Sequence, residues 1–136
     1  MKRILFLFLL LIHSLSAKTF NKKDFRQLIQ DYFDGFTTRS VKKVSALVTE
    51  KLKQKHTKIP FEAAVKRGTL KYLGHKVVDV EVYTKKIRNK PVHFVGYKML
   101  KPDGSKLDQG LWFRIVEKDN QLKVDSIMHD YDPEAR

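Results

Sequence analysis

The side chain whose ordinary titration lies nearest neutrality is histidine, and four of the chain's five histidines, His56, His75, His93 and His129, follow residue 17. His56 sits in Lys51-Leu-Lys-Gln-Lys-His-Thr-Lys58, among four lysines and no acid. That surrounding reads as a solvated stretch rather than a general base. His93 alternates with Val95, Tyr97 and Met99 and so faces the interior of its strand, where a half-buried imidazole bonded to backbone is the simpler reading. His129 and Asp125 are four positions apart on one strand, a span of about 13 Å, too far to act as a hydrogen-bonded pair. No His-x-x-x-His or similar ligand spacing occurs and there is no cysteine. Neither a metal site, a disulfide, a thiol nucleophile nor a cofactor is therefore expected.

The second kind of chemistry is charge. The formal net charge is +13, and the cations fall in two runs. Arg39, Lys42, Lys43, Lys51, Lys53, Lys55 and Lys58 oppose only Glu50, and Lys85, Lys86, Arg88 and Lys90 precede Pro91. Such runs attract polyanions through salt-sensitive contacts. Anionic glycans and anionic lipid headgroups are the favoured partners, with a plain solubilising surface as the alternative. Nucleic acid is the least favoured, because lysine outnumbers arginine and no aromatic is interleaved in either run.

The elements that must position these residues begin after a leader. Lys2 and Arg3, the apolar run Ile4–Ile12 and the small-residue stretch ending at Ala17 have the three-part layout of a secretory signal. The run is shorter than the roughly 20 residues a spanning helix needs. The expectation is residues 1–17 as signal peptide, 18–136 as one domain, and a secreted or periplasmic product. Cleavage there leaves 26 basic against 15 acidic side chains, a net charge of +11. With 42% hydrophobic residues the remainder has the material for a core.

From Asn21 to Phe36 the apolar residues Phe25, Leu28, Ile29, Tyr32, Phe33 and Phe36 repeat at helical spacing, with Asn21 as cap and Asp24 in the first turn. Gly35 and Thr37-Thr38-Arg39 end that helix, and Ser40 caps a second one whose stripe is Val41, Val44, Leu47, Val48 and Leu52. Pro60–Arg67, stopped by Gly68, reads as a short third helix. After Gly74 the period becomes two. Val78, Val80 and Val82 alternate with Asp79 and Glu81, and Val92–Leu100, Leu107–Glu117 and Gln121–His129 follow across turns at Lys101–Ser105 and Lys118–Asn120. The expected class is α+β: two to three N-terminal helices on a curved, cone-shaped antiparallel sheet of four strands. If Leu111, Phe113 and Ile115 face the helices, then Trp112, Val116 and Ile127 point outward, and an apolar outer face predicts a homodimer through the sheet.

The run Asp31-Tyr-Phe-Asp-Gly-Phe-Thr-Thr-Arg-Ser-Val-Lys-Lys-Val-Ser-Ala-Leu-Val48 resembles the helix–turn–helix opening of the nuclear transport factor two-like family, with the cystatin-like arrangement as runner-up. The resemblance implies a cone whose sheet wraps the first helix and leaves a pocket, here lined by Tyr32, Phe36 and His93. In ketosteroid-isomerase-like members a tyrosine matching Tyr32 steadies a developing oxyanion. Those members also place a carboxylate base just after the second helix, where this chain has only Lys51–Lys58. The resulting expectation is a non-catalytic module binding a small apolar ligand or a protein partner. The alternatives are a small lyase or isomerase using Tyr32 with His93, or a polyanion-binding protein.

Overall fold

A computed structural model describes residues 19–55, 58–107 and 110–133, so the expected signal peptide and His56 lie outside the described residues. The chain is an α+β domain with its helices first and its sheet second. Helix α1 (Lys22–Thr37) opens with the expected cap, closed reciprocally: the Asp24 amide donates to Asn21 Oδ1 at 3.1 Å and the Asn21 amide to Asp24 Oδ2 at 2.9 Å. Its apolar stripe is buried and packs across β1 (Lys76–Ile87) and the strands beyond. Gln30 fastens the two elements, accepting from the Val77 amide at 2.7 Å. Gly35 is required where α1 meets the next helix, because a Cβ there would fall 2.5 Å from a Val44 methyl carbon.

The second helix is shorter than its stripe. Helix α2 covers Val41–Leu47, Val48 turns extended, and a separate helix α3 covers Glu50–Gln54. The break has a structural cause. Val48 bridges Val124 in parallel, the Thr49 amide donates to the Val124 carbonyl at 3.0 Å, and Thr49 Oγ1 caps α3 by accepting from the Leu52 amide at 3.2 Å. Two backbone groups thus leave the helix to extend the sheet edge, while the apolar stripe continues across the gap. With α4 (Phe61–Arg67), capped by Pro60 rather than beginning at it, the described residues hold four helices.

The sheet is open and antiparallel, in the order β1, β2 (Lys90–Leu100), β4 (Leu111–Lys118), β5 (Gln121–His129). A fifth, two-residue strand β3 (Lys106–Leu107) pairs with the end of β2. Hairpins β1–β2 and β4–β5 turn on two residues each, Arg88-Asn89 and Asp119-Asn120, all at positive φ between 53° and 63°. That geometry matches the natural twist of paired strands.

Two bulges change which side chains face inward. The first lies between Val77 and Asp79, so Val77 is buried and Val78, expected inward, is 40% exposed. The second is on β5, where Arg114 pairs with Ser126 and Ile115 with Val124, leaving Asp125 as the extra residue. It brings Ile127 opposite Phe113, packed against the core, correcting the outward placement expected for Ile127. It also turns Asp125 toward the outward-facing Arg114, so Asp125 and His129 do not share a face.

Candidate functional site

The expected pocket residues Tyr32, Phe36 and His93 all lie on the core side of the sheet. Tyr32 is buried, with ring centroids 5.0 Å from Phe36, 5.8 Å from Phe33 and 5.4 Å from Phe113. Burial, with the Tyr72 phenol nearby, pushes its hydroxyl well above the ordinary tyrosine range. Phe36 is half-buried at the end of the same stripe. His93 is also on the inner face, but its ring packs 4.8 Å from Phe25, at the other end of α1. Phe25 and Tyr32 are seven positions apart, about 10 Å along a helix axis, so phenol and imidazole are not brought together.

His93 has side-chain partners on both nitrogens. Nδ1 lies 2.8 Å from Thr84 Oγ1 and Nε2 lies 2.9 Å from Glu117 Oε2. The tight Arg88-Asn89 turn sets Thr84 directly across from His93, and Glu117 arrives from β4, two positions past the residue paired with His93. An alternating strand announces the burial of His93 but not these partners.

The outer face holds a more open arrangement. A groove of about 640 Å³ lies at its hairpin end, lined by Lys51, Ile87, Arg88, Lys90, Arg114 and Asp125 among others. Four cations from three parts of the chain meet here. Lys51 comes from α3, Arg88 and Lys90 from the β1–β2 hairpin, the first in its turn and the second opening β2, and Arg114 from mid-β4. Asp125, 6% exposed, anchors two of them: it accepts from Thr49 Oγ1 at 2.9 Å, and its other oxygen lies 3.4 Å from both Lys51 Nζ and Arg114 Nε. The second acid on the groove wall, Glu117, is engaged by His93. Among the described residues, Arg88 and Lys90 have no ion-pair partner, and the buried Arg114 Nε makes no hydrogen bond, its Asp125 contact being an ion pair only.

The remaining basic residues scatter. Lys53 pairs with Glu50 at 2.9 Å within α3, Arg39 packs over Gly68, and Lys42, Lys43 and Lys55 stand exposed on the helical layer. Lys86 is exposed near the hairpin tip, and Lys85 lies on the outer face with its ammonium 5.7 Å from the centre of the Phe94 ring. The sequence thus marks Lys51, Arg88 and Lys90, while Arg114, Asp125 and Thr49 join them only through the β5 bulge and the break before α3.

A smaller groove of about 340 Å³ opens at the other end of the sheet, beside Gly96, Tyr97, Leu107 and Trp112. Its charged rim, Asp79, Glu81, Lys98 and Lys106, has no net sign, so the hairpin groove is the stronger candidate for binding one kind of charge. No family model matches the chain and no curated protein matches it in sequence, so the chemistry of this basic groove carries the functional reading.

Proposed function

We propose that the protein is a non-catalytic binding domain that docks an anionic partner in the groove formed by Lys51, Arg88, Lys90 and Arg114. The carrying observation is the convergence of Lys51 and Arg88, distant in sequence, on one groove in which the buried Asp125 carboxylate holds Lys51 and Arg114. Cations already held by a buried carboxylate, as Lys51 and Arg114 are, lose less freedom on binding than freely swinging side chains do. The arrangement of helices on an antiparallel sheet is compatible with a nuclear transport factor two-like fold, whose members include docking modules. The tight packing of Tyr32 and its separation from His93 weigh against an isomerase of that kind.

Heparin resin tests the reading with charge change held constant. The pair Arg88→Glu with Lys90→Glu alters net charge as much as Lys42→Glu with Lys43→Glu does. The groove pair is expected to elute at clearly lower salt than both wild type and the helix pair. Equal elution of the two double variants would reduce the attraction to net charge and overturn the groove.

A further inference from the structure

The outer face carries, beyond the basic groove, a connected set of aromatic rings. Tyr83 and Trp112 lie with centroids 5.9 Å apart, Trp112 and Tyr131 5.7 Å, and Tyr131 stacks on Phe94 at 4.9 Å and 13°. Trp112 is laid flat by Gly96: three successive ring carbons lie 2.9, 2.9 and 3.1 Å from where a Cβ on Gly96 would stand. One face of the indole therefore covers backbone and the opposite face is turned outward. Trp112 and Arg114 are two positions apart on the same face of β4, about 7 Å along the strand, so rings and cations form one continuous surface.

We infer that this face binds an acidic polysaccharide, with sugar rings laid on Trp112 and Tyr83 and carboxylate or sulfate groups in the basic groove. The inference rests on the anion-binding reading of that groove. A pyranose presents a face of C–H groups that packs on an aromatic ring while its hydroxyls stay in water, the same division of labour that places Trp and Tyr where one side is apolar and the other wet. The cations then hold the acid groups. Acidic side chains select among polyanions. Glu81 and Asp79 face outward on β1, and Glu81 stands across Gly96 from Trp112. Lys98 stands opposite Asp79, so Glu81 is the acid left facing a nucleic-acid strand, charged at every unit, where its bases would stack. A polysaccharide can lay an uncharged unit there and its acids at the hairpin end.

Trp112 is the only tryptophan, so its fluorescence reports this face in the unaltered protein. Hyaluronate, in which a neutral N-acetylglucosamine alternates with a glucuronate, is expected to shift or quench Trp112 emission saturably and less well as salt rises, while neutral dextran does not. Inorganic polyphosphate is expected to bind the groove, competing for heparin resin, without changing Trp112 emission. The exposed Tyr83→Ala variant is expected to weaken hyaluronate binding by about fivefold while polyphosphate binding stays within about twofold. Polyphosphate binding with no response of Trp112 to hyaluronate overturns the polysaccharide but leaves the anion-binding groove standing. Failure to bind either polymer overturns both. Tighter binding of oligothymidine than of hyaluronate, or a stable dimer whose Trp112 ignores the polymer, gives the face to another occupant and overturns the inference.

Discussion

Thr49 and Asp125, 76 positions apart, are joined by a 2.9 Å hydrogen bond that holds the helical layer to the bulged edge strand. Thr49 Oγ1 also accepts from the Leu52 amide, so one hydroxyl caps α3 and fixes the carboxylate beneath Lys51 and Arg114. Thr49→Ala removes both interactions and leaves a buried carboxylate oxygen short of a donor. The expected cost is about 1–3 kcal/mol, read from urea unfolding. Thr49→Ser keeps the hydroxyl and is expected to recover most of it. A Ser variant as unstable as the Ala variant would place the loss in the missing methyl group instead.

Gly96 offers a sharper steric test. Adding one methyl group forces the Trp112 ring outward or twists β2, since a Cβ at 2.9 Å from two ring carbons has no room. Gly96→Ala is expected to destabilise by about 1–3 kcal/mol, the usual range for overpacking, and to shift Trp112 emission toward the wavelength of a more hydrated indole. Unchanged emission would mean that the indole does not lie across the glycine.

The caps at Asn21 and Ser40, the change from helical to alternating period and the turn within Lys118–Asn120 are readable because each depends on neighbours in sequence. Long-range competition is not readable in that way. The stripe Val44, Leu47, Val48, Leu52 continues as though one helix ran through it, yet sheet pairing with Val124 draws Val48 and Thr49 out. Each bulge inserts one residue without altering composition, so a strict period of two puts Val78 inside and Ile127 outside, the reverse of their places. The same bulge builds half the candidate site. Charge runs marked Lys51 and Arg88, whereas Arg114 and Asp125 had no local signal because their meeting depends on the β5 irregularity.

Tyr32 links the core to alkaline stability. Burial raises its titration in the folded state, whereas in the unfolded chain the phenol loses its proton near pH 10. Above that pH the unfolded state sheds a proton that the folded state keeps, so stability present below pH 10 declines as pH rises through the interval. The contribution is at most about 1.4 kcal/mol per pH unit for one proton. Tyr32→Phe retains the ring packing and cannot ionise. Its unfolding free energy, compared at pH 8 and pH 11, is expected to fall less than that of wild type. Parallel declines in the two proteins would show that Tyr32 does not carry the alkaline sensitivity.

The Thr84–His93–Glu117 chain makes a prediction about coupling. A carboxylate only accepts, so His93 Nε2 carries a proton toward Glu117; in the neutral ring Nδ1 is left to accept from the Thr84 hydroxyl. Each partner fixes the ring orientation that the other needs, and His93 is 7% exposed, with little water to substitute for a lost bond. Glu117→Ala and Thr84→Val are each expected to cost about 1–2 kcal/mol, and the double variant less than their sum, because the second change strikes a ring already released. Urea unfolding of the four proteins measures the coupling, and nitrogen NMR of the imidazole reads the tautomer independently. Costs that add to within about 0.5 kcal/mol would make the two hydrogen bonds independent. A neutral ring protonated at Nδ1 would reverse the direction of the Thr84 bond and remove the shared constraint on which the coupling depends.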